Sequence, residues 1–124
     1  MSHATRDVTI RLEYNTGQDE PDRGIFRNQA VVPNDGEGLL VAYHELDESS
    51  DVFPENPHQR QIHLVGTKGA LEALGTYLIA LARLDGADPE PYGSFDHVRF
   101  EGGGTVRLMP RRVAQLPGDR PEGA

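Results

Sequence analysis

No cysteine occurs in the 124 residues, which excludes disulfides, thiolate-ligated metals and cysteine nucleophiles and accords with a reducing compartment. No apolar run approaches the roughly 18 residues of a membrane-spanning helix. The polar stretch Met1 to Asp7 lacks the apolar segment of a signal peptide. A soluble, cytoplasmic protein is the expectation. Lysine is nearly missing too: Lys68 stands alone among arginines, a bias that fits a GC-rich genome better than any chemistry. Positive charge is scarce in the first half, where residues 1–58 hold 12 acidic and 4 basic residues; residues 59–124 hold 8 of each, so the first half carries the whole net charge of −8. Such a surface repels phosphates, which argues against a nucleic-acid partner. It would attract a basic protein and speed encounter with it, and it also serves plain solubility.

One domain is expected at this length, and the chain is long enough to bury a modest core without a metal or disulfides. Val8-Thr9-Ile10-Arg11-Leu12-Glu13-Tyr14 alternates apolar and polar residues, the period of a strand with one buried face. Val8, Ile10, Leu12 and Tyr14 should point inward. Gly24 to Val32 is a second, weaker strand, ended by the turn residues Pro33-Asn34-Asp35-Gly36. Leu39 to His44 reads as a central strand, Asp47 to His58 as a long loop with two prolines, and Gln61 to Val65 as another strand.

A helix should follow from Thr67 to Leu84. Thr67 is a natural N-cap, and Leu71, Leu74, Leu78 and Leu81 fall on one face of a 3.6-residue period. Burying those leucines contributes about 1.5–3 kcal/mol each before entropy, which outweighs the cost of about 1 kcal/mol for Gly75 in mid-helix. Gly86 is placed to end the helix as its C′ residue. His97 to Glu101 and Thr105 to Met109 then form a hairpin across Gly102-Gly103-Gly104. The prediction is an α+β domain over residues 1–113, an antiparallel sheet of five to six strands in the order ββββαββ, with the single helix on one face. Residues 114–124, rich in proline, glycine and charge, read as a disordered tail.

No coherent catalytic set emerges. Gly66-Thr67-Lys68-Gly69 has the letters of a phosphate loop without its spacing. Asp85 to Glu90 lacks calcium-loop spacing and carries Pro89. Ser49 or Ser50 with His44 and Asp47 or Asp51 could be drawn as a triad, but no nucleophile elbow surrounds the serines. His63 and His97 fall out of phase with their apolar neighbours and should share the face away from the helix; a third metal ligand is missing, and zinc takes three or four. Neither a cofactor nor a metal is therefore expected.

Two surfaces are left for binding. The open sheet face should carry Arg11, Glu13, His63, His97, Arg99, Glu101 and Arg107 by strand phase. The long loop sets Phe53 among Glu45, Asp47, Glu48, Asp51 and Glu55; loops of this length are often functional, and an aromatic ringed by acids suits a basic partner with an apolar pocket.

The stretch His63-Leu64-Val65-Gly66-Thr67-Lys68-Gly69-Ala70-Leu71, the leucine-bearing helix, and Asp96-His97-Val98-Arg99-Phe100 with the glycine turn before Thr105-Val106-Arg107-Leu108 resemble the small bacterial family called immunity protein 32. The similarity spans about residues 60–112. The family pattern has a histidine pair on the later strand; this chain keeps His97 and has Arg99 in the second place. The resemblance implies a non-enzymatic protein that neutralises a cognate toxin by direct contact; the acidic charge of the first half points to a basic toxin, such as a nuclease. Glu45, Asp47, Glu48, Asp51, Phe53, Glu55, His63, His97 and Arg99 are the candidate partner-binding residues. The runner-up is a small ligand-binding or regulatory domain, with room for a homo-oligomer formed through a sheet edge.

Overall fold

The computed structural model describes residues 2–45 and 60–118. Six strands and one α-helix occur among them, in the order β1 (Tyr14–Asn15), β2 (Gln29–Ala30), β3 (Leu39–Glu45), β4 (Arg60–Gly66), α1 (Lys68–Ala82), β5 (Phe95–Phe100) and β6 (Thr105–Leu108). The fold is α+β, and the strands form two sheets rather than one. β1 and β2 pair only with each other, while the other four run in the spatial order β4-β3-β5-β6. The larger sheet is mixed. β3 and β4 are antiparallel over seven regular pairs, whereas β3 and β5 run parallel, with Leu40 opposite Arg99 and Val41 opposite Phe100. No short turn joins the parallel pair: β4, the helix and residues 83–94 lie between β3 and β5 in the chain.

The first predicted strand is the main departure. Residues 8–13 carry no strand pairing, and Val8 is 69% exposed. The segment lies beside the helix, where Val8, Thr9, Ile10 and Arg11 line an open groove with Glu72, Gly75, Thr76 and Ile79. Its far end is held by Tyr14, whose hydroxyl donates to the Ala80 carbonyl at 3.0 Å, and by the Val31 amide, which donates to the Glu13 carbonyl at 3.0 Å. Alternation reports that one side of a segment meets apolar surface; it does not say whether a sheet or a helix flank supplies it.

The helix begins as expected, with the Thr67 hydroxyl accepting the Ala70 amide at 3.2 Å. Its buried face is turned from the leucine stripe. Ala70, Leu74, Tyr77, Ala80 and Leu81 are buried, while Leu71 and Leu78 are each 44% exposed. Tyr77 takes the centre because its ring meets Phe95 edge-on at 5.3 Å, and the cluster closes with Leu39, Leu74, Leu81 and Val98. Burial pushes the Tyr77 hydroxyl pKa above its ordinary value.

The helix also ends differently. It stops at Ala82 with Arg83 as its cap, and Gly86 does not adopt a positive φ. Gly86 instead sits close to Asn28. The exposed carbonyls are met by Arg112, whose Nη1 lies 2.9 Å from the Leu81 oxygen, 2.8 Å from the Leu84 oxygen and 3.4 Å from the Ala82 oxygen. Arg112 is positioned in turn by its backbone amide, which donates to the Pro91 carbonyl at 2.9 Å. A cationic side chain from a remote segment thus does the work of a glycine cap.

The hairpin between β5 and β6 turns on Gly103 and Gly104, at φ of 112° and 75°. The register of this pair shifts between Phe95 and Val98.

Candidate protein-binding face

Strand alternation divides the larger sheet cleanly. Leu39 and Val41 pack into and against the core, so their register partners on β4, Gly66 and Leu64, share the helix side. The alternate residues form the open face: His44 from β3, Gln61, His63 and Val65 from β4, Arg99 from β5, and Thr105 from β6. The small Ala42, in register with His63, is buried and forms the floor.

Five of the seven residues assigned to this face by strand phase, His63, His97, Arg99, Glu101 and Arg107, are on it or at its margin, but in a different grouping. His63 and His97 do not meet, because β3 lies between their strands. Arg99 is level with Leu40 and Val65, and His63 is level with Ala42, so His97 lies further along the sheet in the opposite direction from His63. His97 falls in the irregular part of β5 and turns to the preceding loop: its amide donates to the Asp35 carbonyl at 2.7 Å, and its Nδ1 lies 3.6 Å from the Asp35 carboxylate. His63 and His97 are therefore not neighbours.

The neighbour of His63 is His44, with ring centres 4.8 Å apart. His44 Nε2 lies 2.8 Å from Glu101 Oε2, and His63 Nε2 lies 2.8 Å from Gln61 Oε1. His44 and Glu101 thus belong to the cluster, joined across β3 and β5. His44 was visible in the sequence as a strand residue; only the pairing of β3 with both β4 and β5 shows that it is central. Arg107 adds a contact of 3.4 Å from its Nε to Asp96. Arg11 and Glu13, assigned to this face by phase, lie elsewhere, in a groove with Val31, Val32, Pro33, Thr76, Tyr77 and Ala80.

The groups on the face are exposed; His44 and Glu101 keep 45% and 56% of their side-chain surface. Polar contacts of this exposure contribute about 0–1 kcal/mol to folding. Among the described residues, no group of three or more His, Asp or Glu side chains is placed to hold a metal, and no helix is long and apolar enough to cross a membrane.

Of the acidic-loop candidates, Glu45 closes β3, 3.9 Å from Arg60 Nε and within 3.5 Å of the Tyr43 hydroxyl. Asp47, Glu48, Asp51, Phe53 and Glu55 lie outside the described residues. No protein-family model matches the chain, and no curated protein or solved structure matches it.

Proposed function

We propose that the chain is a non-enzymatic binding protein that neutralises a cognate toxin by direct contact on the open sheet face, as its resemblance to immunity protein 32 implies. The observation that carries this reading is the grouping of His44, His63, Glu101 and Arg99 on one exposed face of a sheet whose other side is held by the helix and core. A surface of this kind is rigid in its backbone and polar in its side chains, which gives geometric specificity with few ordering costs. The acidic excess of residues 1–58 favours a basic partner and speeds its approach. Occlusion of the toxin's active site would then suffice, and no step of catalysis by this chain is needed.

The test is co-expression with the adjacent open reading frame. The reading expects a neighbour that is toxic alone and harmless beside this protein. A neighbour that is harmless alone, or lethal in both cases, overturns it.

A small-ligand reading draws on the apolar groove of about 500 Å³ between Val8, Ile10, Gly75 and Ile79. A ligand that raises Tm, with Gly75→Leu abolishing the shift, would support that role.

A further inference from the structure

The two edges of the larger sheet are built differently. β6 has four residues, is followed by Pro110, and pairs with β5 through an irregular register. These are the features that keep an edge strand from recruiting another strand. β4 has none of them. It runs seven residues, is in unbroken register with β3, and contains neither proline nor a carboxylate. The chain's net charge of −8 is therefore not concentrated on this strand, and its one formal cation is Arg60.

The same edge borders an exposed apolar patch. Ile62 is 77% exposed and Tyr43 49%, with Leu64, Leu71 and Leu78 each above two-fifths. Tyr43 and Ile62, and Val41 and Leu64, are register partners on the helix side of the sheet. Leu71 and Leu78 are the helix positions turned out of the core. Together these side chains expose on the order of 500 Å² of apolar surface, the upper end of what the largest patch on a monomer carries.

We infer that β4 pairs antiparallel with β4 of a second copy of this chain, giving a continuous eight-stranded sheet. A two-fold axis through His63 sets Ile62 beside the partner's Leu64 and Gln61 beside the partner's Val65, so every residue keeps its own face. Both helices then lie on one side of the joined sheet, with Leu71, beside Gly66 at the end of β4, nearest the junction in each copy. The patch is thus complementary to itself, as a two-fold contact requires. Complete burial of both patches would remove at most on the order of 1,000 Å² from water, to which the strand backbones add, against the roughly 1,200–2,000 Å² of a stable pair. The polar face with His44, His63, Glu101 and Arg99 stays open in this arrangement, with the two copies of His63 adjacent across the axis. The dimer therefore stands or falls independently of the toxin-binding reading.

Sedimentation velocity of the full chain across about 1–200 μM tests the pairing. The expected species has twice the 13.6 kDa chain mass. Ile62→Lys and Leu64→Lys place a charge at already exposed positions. Each should leave the circular dichroism spectrum and Tm of the monomer intact and weaken self-association by about a hundredfold or more, because an unpaired charge is buried at the junction. Thr105→Lys, on the blunted edge, should leave self-association unchanged. A wild-type chain that sediments as a monomer throughout overturns the inference, as does a folded Ile62→Lys variant that dimerises like wild type. So does a partner strand of another protein being needed before β4 pairs.

Discussion

Arg112→Ala removes the group that closes the C-terminus of the helix, and its cost can be worked from the contacts. The guanidinium reaches the carbonyls of Leu81 and Leu84 at 2.9 and 2.8 Å, and that of Ala82 at 3.4 Å. Hydrogen bonds to charged groups contribute about 1.5–3 kcal/mol, and a cation at a helix C-terminus about 0.3–1 kcal/mol more. Arg112 is half-buried, so water can replace part of what is lost. A net cost of about 2 kcal/mol results, equivalent to a fall in Tm of about 8 °C for a domain of this size. Urea unfolding followed by circular dichroism at 222 nm should show a lower midpoint with an unchanged slope. Arg112→Lys keeps the charge but loses the planar fork, and should fall between the two. An Arg112→Ala variant within about 0.5 kcal/mol of wild type would refute the capping role, since that is the scatter of an ordinary surface substitution.

Gly93→Ala should destabilise by about 1–3 kcal/mol, measured in the same urea experiment, because a Cβ there would come within 2.0 Å of the Tyr77 hydroxyl oxygen of a ring that is only 1% exposed. Asp19 should show its role through pH. Its carboxylate accepts the amides of Arg27, Asn28 and Ala87 at 2.6, 3.2 and 3.1 Å, tying the loop before β2 to the segment after the helix. These bonds, that to Ala87 foremost, lower its pKa from 3.8 to about 2. The folded-state value lies below the unfolded one, so the stabilisation is present above pH 3.8 and is lost as pH falls through about 2. Asp19→Ala should therefore be less stable than wild type at pH 6, with the gap in Tm shrinking toward pH 2; a constant gap would contradict the assignment.

Local patterns in the sequence located the elements from Leu39 onward well, the two strands before it poorly, and the partners of each least well. The N-cap at Thr67, the central position of the strand from Leu39 and the glycine hairpin before Thr105 each depend on neighbouring residues, and the structure has them. Partner choice depends on long-range packing. Val8 to Tyr14 alternates like a sheet strand but lies against the helix flank. The leucine period suggests a stripe through Leu71 and Leu78, yet Tyr77 holds the centre because it is the residue that meets Phe95. The candidate site shows the same division. The outward phase of His63 and Arg99 was legible from alternation. The cluster of His44 with His63 and Glu101 was not, because it depends on β3 pairing with β4 on one side and β5 on the other.

Whether the open face binds and neutralises a protein partner is decided by a survival assay. The adjacent open reading frame is expressed with wild type, with Arg99→Glu, and with the double variant His44→Ala/His63→Ala, after each variant is shown to be folded. Wild type should protect fully and both variants should lose protection, at unchanged protein level. Protection that persists in both variants would contradict the assignment of the binding face, and a neighbour whose effect on growth does not depend on this protein would contradict the function itself.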